Sequence, residues 1–307
     1  MSDKPDLVVV IGPTAVGKTH LCIQLARRIG GEIISADSRY FYRGMDIGTA
    51  KPTRDEREGV PHHLIDILNP DEKMSLALYL AQANEAINDV ISRDRIPILV
   101  GGTGQFISAI IHGWDLPKGE PDTRLREELG IIAEKIGKQE LFQWLNRVDP
   151  EAAKIIDPTN TRRTIRAIEV ILSSGERFSS QRRAADPLYN SLIVGITRPR
   201  DALYQQIDQR IDDMIKVGLE AEVRALLEKG YAADLPAFSA IGYAEMIAHI
   251  NGAIPLDEAV RIMKKRTRNL VRRQSNWFKL DDPAIRWFQY TAEAMGDIEA
   301  YLRERLF

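Results

Sequence analysis

The run that most clearly carries chemistry is Gly12-Pro13-Thr14-Ala15-Val16-Gly17-Lys18-Thr19, a match to G-x-x-x-x-G-K-[ST]. Its glycines let successive backbone N–H groups converge on an anion, and the helix that follows adds the positive end of its dipole. Lys18 supplies a mobile cation, and the Thr19 hydroxyl can ligate Mg²⁺. The run directly follows Leu7–Ile11 (LVVVI), a strand-to-helix junction, so it predicts a site for a diphosphate or triphosphate. A nucleoside triphosphatase ordinarily adds an acid at the end of a second apolar strand to help hold Mg²⁺. Here Ile96–Val100 (IPILV) runs instead into Gly101-Gly102-Thr103-Gly104. The strand Glu32–Ser35 (EIIS) delivers Asp37 and Ser38 just past its carboxyl end, where open α/β folds place ligands. Asp and Ser are also common turn and N-cap residues, so position alone leaves Asp37 with two readings.

Positive charge is strongly segregated. From Arg261 to Lys279 there are eight basic residues and no acid, and Trp277 and Phe278 close the run. From Arg162 to Arg183 six arginines stand against Glu169 and Glu176. Both runs have helical apolar spacing, and aromatics among arginines suit stacking on unpaired bases. RNA or another polyanion is the favoured partner; the alternative is a solvated face whose charges balance acids elsewhere. His62 and His63 are adjacent, so in an extended run their rings point apart and do not form a metal site. Cys22 is the single cysteine, which excludes an internal disulfide and a Cys-x-x-Cys metal site, and it reads as a small core residue.

The elements that must position these residues follow from the apolar pattern. Short runs at Leu7–Ile11, Glu32–Ser35, Ile96–Val100, Leu192–Ile196 and, more weakly, Ile285–Phe288 read as strands, with helical patterns between them at Ser75–Ile91 and Ala202–Glu228. That alternation predicts an α/β fold, a parallel sheet with helices on both faces. It stops after Trp114. Asp115–Asp122 reads as a linker, and Thr123 to Pro187 shows helical patterning alone. The expected organisation is an α/β core over residues 1–116, an all-helical insertion over 117–190, and a return to the core with basic helices over 191–307. The 307 residues carry 42 basic and 44 acidic side chains, a net charge of −2 that excludes a uniformly basic coat. No apolar run approaches the roughly 20 residues of a membrane span, and the five-residue apolar run near the start, preceded by acids, is too short for a signal peptide. A cytoplasmic protein is expected.

With these residues in view, the chain resembles the tRNA dimethylallyltransferase (tRNA isopentenyltransferase) family nearly end to end. The blocks are GPTAVGKT, SADSRYFYRGMDIGTAKP (Ser35–Pro52), PHHLIDI (Pro61–Ile67), VGGTG (Val100–Gly104), RRTIRAIEV (Arg162–Val170), AIGYAEM (Ala240–Met246) and KKRTRNLVRRQSNWF (Lys264–Phe278). The resemblance implies a P-loop NTPase-like core. It also implies transfer of a dimethylallyl group from its diphosphate to N6 of the adenosine 3′ of the anticodon, with the loop and Mg²⁺ holding pyrophosphate. Asp37 matches the family's catalytic aspartate, joined by Lys18, Thr19, Thr103 and Arg210. Ser38, Arg39, Tyr40, Thr103, Arg126, Arg162, Arg163, Thr164, Ile165, Arg166, Arg273, Gln274 and Trp277 match positions that meet the anticodon stem-loop. A monomer is expected. Tyr40 stands where many members have Gln, Gln105-Phe106 where Leu-Tyr is usual, Gln206 in place of an Arg, and Asn276 in place of a Thr. The rival readings are a nucleotide-dependent small-molecule kinase and a non-catalytic RNA-binding module.

Overall fold

The computed structural model describes residues 4–116, 122–181 and 186–306. The chain forms two compact units, one of residues up to Ile111 together with those from Leu188 onward, the other His112–Pro187.

The first unit is built on β1 (Asp6–Ile11), α1 (Lys18–Ile29), β2 (Gly31–Ser35), β3 (His62–His63), α2 (Leu76–Ser92), β4 (Ile96–Val100) and α3 (Gly104–Ile111). Among the described residues six strands form one parallel sheet in the order β3-β2-β4-β1-β5-β6, where β5 is Asn190–Thr197 and β6 is Ile285–Gln289. Leu7 to Ile11 are all fully buried, because a central parallel strand is covered on both faces and needs no polar alternation. Val9 sits in register with Leu99 on one side and Ile193 on the other. The weak pattern at Ile285–Phe288 is the edge strand β6, with Ile196 opposite Phe288. Strand β3 gave no apolar signal; it is two histidines paired with Ile33 and Ile34 of β2. His63 Nε2 lies 2.7 Å from the buried Glu32 carboxylate, which Arg93 also engages, and these partners hold the Glu32 pKa down at about 2.

Two expectations are corrected here. Ala202–Glu228 is two helices, because Gly218 takes φ 113° between them and ends the first. Asn190 opens β5 and so belongs to the sheet, not to the helical insertion.

The second unit comprises α4 (Thr123–Ile136), α5 (Lys138–Val148), α6 (Pro150–Ile155), α7 (Thr161–Ser174) and α8 (Phe178–Gln181), with no strand among its described residues. Leu129, Leu141, Leu145, Ala167 and Ile168 form its own core. The fully buried Asp149 caps α6 through the Ala152 N–H and accepts from the Ser179 N–H and hydroxyl, tying α8 to α6. The basic stretch from Arg162 is not one helix: Gly175, at φ 73°, ends α7. Arg182 and Arg183 lie outside the described residues, as does most of the expected linker.

After β5 the first unit continues with α9 (Arg200–Val217), α10 (Leu219–Glu228), a 3₁₀ turn (Pro236–Ser239), α11 (Tyr243–Ile250) and α12 (Leu256–Gln274), and after β6 with α13 (Ala294–Leu306). Because the strands are parallel, Ile11, Ser35, Val100 and Thr197 all end on the same side of the sheet. Every chemistry-bearing loop of this unit therefore starts from one edge.

Candidate active site

The glycine-rich loop needs its unusual backbone. Gly12 takes φ 152°, and a Cβ there would lie 2.5 Å from the Ile196 carbonyl oxygen. Ala15 is left-handed at φ 65°, and Gly17, at φ 107°, carries the Tyr290 ring against its Cα. Lys18 curls back so that Nζ donates to the carbonyls of Gly12 (2.7 Å) and Pro13 (2.8 Å). Desolvation lowers the Lys18 pKa to about 8, against the opposing pull of Asp37. Not every loop N–H faces an anion. The Thr14 N–H donates to Gln274 Oε1 (2.8 Å), and Gln274 Nε2 donates to the Gly102 carbonyl (3.1 Å) and the Thr14 hydroxyl (3.2 Å). The Gln274 amide, expected on the nucleic-acid face, is thus engaged with the phosphate loop.

The ends of β2 and β4 are knitted together. Ala36 N–H donates to Val100 O (2.7 Å), Thr103 N–H to Ala36 O (3.1 Å), and Ser38 N–H to the Thr103 hydroxyl (3.1 Å). A Cβ on Gly101 would meet the Ala36 carbonyl oxygen at 2.2 Å, so the place where a triphosphatase carries its acid has no room for a side chain. Asp37 Oδ1 accepts the Arg39 N–H (2.9 Å), an Asx turn. Its charge also acts on Lys18 and Tyr40, so this turn carboxylate lies within electrostatic reach of the glycine-rich loop. The Tyr40 hydroxyl donates to Ala50 O (2.9 Å) and contacts Thr19; burial and Asp37 push its pKa up to about 12. Arg210 Nη2 donates to Thr49 O (3.0 Å). Lys18, Thr19, Asp37, Tyr40 and Arg210 therefore converge. Arg39 turns elsewhere, its guanidinium donating to Ala237 O (3.2 Å) and the Ser239 hydroxyl (3.2 Å). A cavity of about 610 Å³ opens beside Pro13 and Gly102, lined by Arg198, Tyr204, Phe278 and Trp287. The described residues contain no cluster of three or more His, Cys, Asp or Glu able to hold a metal. The Thr19 hydroxyl is an oxygen of the kind that joins ligand oxygens in the sparse protein coordination that Mg²⁺ accepts.

The basic run on α12 is largely neutralised within the fold. Arg261 pairs with Glu258, Lys264 with Asp212 (2.7 Å), Arg266 with Glu245, and Arg268 with Asp208. Arg272 and Arg200 both bond the Tyr204 hydroxyl and lower its pKa. Arg273 is exposed and pairs with no acid among the described residues, and Trp277 lays its ring on Gly104. For those four residues the charge-balancing alternative holds.

In the helical unit Arg126 and Arg166 both engage Glu169, whose side chain is 1% exposed. Thr164 is buried and donates to Asn160 O (3.2 Å), whereas Ile165 is half-buried, packing one side on the unit's core. Arg162 is exposed and pairs with no acid among the described residues; the Arg163 N–H donates to the Asn160 cap. Sequence reasoning missed Gln274 as a brace of the loop and Tyr290 as its cover. Nothing in the order of residues marks either one.

Comparison with known proteins places these features in context. The model of the IPP transferase family matches residues 40–281, and that of isopentenyl transferase matches residues 5–69. The tRNA dimethylallyltransferase of Roseiflexus sp. (strain RS-1) is 49% identical over 273 residues, 89% of this chain and 90% of the relative. That of Thermomicrobium roseum is 43% identical over 306 residues, 100% and 92% of the two chains. Among solved structures, the tRNA isopentenylpyrophosphate transferase from Bacillus halodurans matches with a TM-score of 0.74 at 39% identity, covering 99% of this chain and 97% of that one. A eukaryotic dimethylallyltransferase acting on tRNA matches with a TM-score of 0.82 at 27% identity, over 98% and 77%. No helix of the described residues is long and apolar enough to cross a membrane.

Proposed function

The chain belongs to the IPP transferase family, and from that premise we propose that it transfers a dimethylallyl group from dimethylallyl diphosphate to N6 of the adenosine immediately 3′ of the anticodon in tRNA. It is a prenyltransferase enzyme that acts on tRNA. The observation that carries the assignment of roles is the convergence of Asp37, Lys18, Thr19 and Arg210 at one edge of the sheet, beside a β4 end with no room for a hydrolytic acid.

An exocyclic amine of adenine is a weak nucleophile, because its lone pair is delocalised into the ring. Asp37 accepts the N6 proton as the N6–C1 bond forms, and the C1–O bond breaks with its electron pair leaving on pyrophosphate. Such a base typically contributes roughly 10²–10⁴ in rate. The free loop N–H groups, Lys18 and Arg210 stabilise the charge that builds on the leaving group. On binding the diphosphate, Lys18 exchanges its two loop carbonyls for phosphate oxygens. Thr19 fits Mg²⁺, which when bound neutralises part of the diphosphate charge. The adenosine must leave its stack to reach Asp37. Exposed cations such as Arg162 and Arg273 engage the phosphates of the anticodon arm. A monomer is the assembly we favour, and the cytoplasm is the setting where tRNA is met.

Incubating the protein with unmodified tRNA, Mg²⁺ and labelled dimethylallyl diphosphate tests this. Label transferred to N6 is expected. RNA-independent ATP turnover in its place would favour a kinase, and tRNA binding without transfer would leave a binding module.

A further inference from the structure

The segment Met45–Lys51 (MDIGTAK) touches no substrate in the mechanism above, yet side chains from both within and beyond it tie it down. Glu222, in the first turn of α10, reaches into its backbone: Oε2 accepts the N–H groups of Asp46 (3.0 Å) and Ile47 (2.7 Å), and Oε1 accepts that of Gly48 (3.2 Å). Three consecutive N–H groups around one carboxylate form an anion nest filled from within the fold. The Tyr243 hydroxyl donates to the same Oε1 at 2.6 Å, and its buried ring lies where a Cβ on Gly48 would sit, 2.5 Å away. On the far side of the loop the side chain of Lys51, 2% exposed, is held by Tyr42 O (2.7 Å), Asp46 (2.6 Å) and Asp66 (2.6 Å).

What the loop then presents is two carbonyls. Thr49 O accepts Arg210 and Ala50 O accepts the Tyr40 hydroxyl, with Ala50 itself left-handed at φ 51°. We infer that Glu222 is a positioning residue: by filling the 46–48 nest it fixes the Thr49 carbonyl, and through it aims Arg210 at the diphosphate site. This rests on the prenyl-transfer reading for what Arg210 binds. Glu222 itself meets neither substrate.

The test is a double-mutant cycle in the full-length protein, with KM and kcat measured separately for donor and tRNA. Glu222→Gln keeps the shape but removes the charge and turns one acceptor oxygen into a donor, and is expected to raise the donor KM by roughly 10- to 100-fold, the scale of a misplacement of about 1 Å, with tRNA KM unchanged. Against an Arg210→Ala background the same substitution should add little, because its route of action is already gone. Tyr243→Phe removes one hydroxyl from the nest and should move the donor KM the same way by less; it carries the test if Glu222→Gln does not fold. Additive effects with Arg210→Ala, an equal rise in tRNA KM, or an unchanged donor KM would overturn the assignment. Wild-type transfer, measured alongside, decides the reaction itself independently of the cycle.

Discussion

Gln274 and Thr14 stand 260 positions apart, and the Gln274 amide brackets Thr14, accepting its N–H at 2.8 Å and donating to its hydroxyl at 3.2 Å. The last residue of α12 is thereby part of the phosphate loop. Gln274→Ala leaves a loop N–H and the Gly102 carbonyl without their partner. A hydrogen bond of this kind is worth about 1 kcal/mol net, so the donor KM should rise several-fold to about 10-fold with tRNA KM little changed. A rise confined to the tRNA KM would make Gln274 an RNA contact instead.

Asp37 closes a turn and is the proposed base, and two substitutions separate these roles. Asp37→Asn keeps the acceptor for the Arg39 N–H and removes the base. Single-turnover prenyl transfer should fall by roughly 10²–10⁴ in both Asp37→Asn and Asp37→Ala, about 3–5 kcal/mol of barrier, with tRNA affinity nearly intact. Near-normal rates for Asn with a slow Ala variant would reduce Asp37 to its turn.

The arginines of the helical unit divide by partner. Glu169 is buried and relies on Arg126 and Arg166, so Arg166→Ala strands part of a buried charge and should lower thermal stability, by about 3 kcal/mol if the loss matches a broken buried pair. Arg162→Ala should leave stability alone. It should weaken tRNA binding and reduce the slope of log K against log salt by about 0.7–0.9, the value for one phosphate contact. Titrations at several salt concentrations, with melting curves, distinguish the two; an unchanged slope for Arg162→Ala removes it from the RNA face.

The pH dependence follows from Lys18. Its pKa sits near 8 in the free protein, so its charge is present below that pH and lost as pH rises through it. The profile of kcat/KM for the donor reports the free enzyme and should fall above about pH 8. Lys18→Arg, charged throughout, should be less active and lack that descending limb. For folding the sign is opposite: between pH 8 and the ordinary lysine value of 10.5 the unfolded chain binds more protons, so this group's contribution to stability rises with pH there. A donor profile flat to about pH 10 would contradict the assigned role.

Several features were legible without coordinates, because local chemistry dictates them. Gly12, Gly17, Lys18 and Thr19 act through neighbouring backbone groups, so their spacing alone marks the loop. Leu7–Ile11 and Ile96–Val100 had to be covered on both faces, and unbroken apolar runs announce that directly. Ser75 was readable as the start of α2 because its hydroxyl caps the Leu78 N–H three positions on. Strand β3 escaped, since two histidines carry no periodicity.

The sequence by itself thus determined the parallel sheet, the phosphate loop and, through its blocks, the family. Tertiary structure alone decided how charge is used. The acids that neutralise Lys264, Arg266 and Arg268 lie 21 to 60 positions away, and Glu222 reaches the Asp46–Gly48 backbone across more than 170. A charge run reads the same in one dimension whether its partners are carboxylates of the fold or phosphates of a ligand. Coulomb energy depends on distance in space, and only the packing of α9, α11 and α12 sets which acids come near.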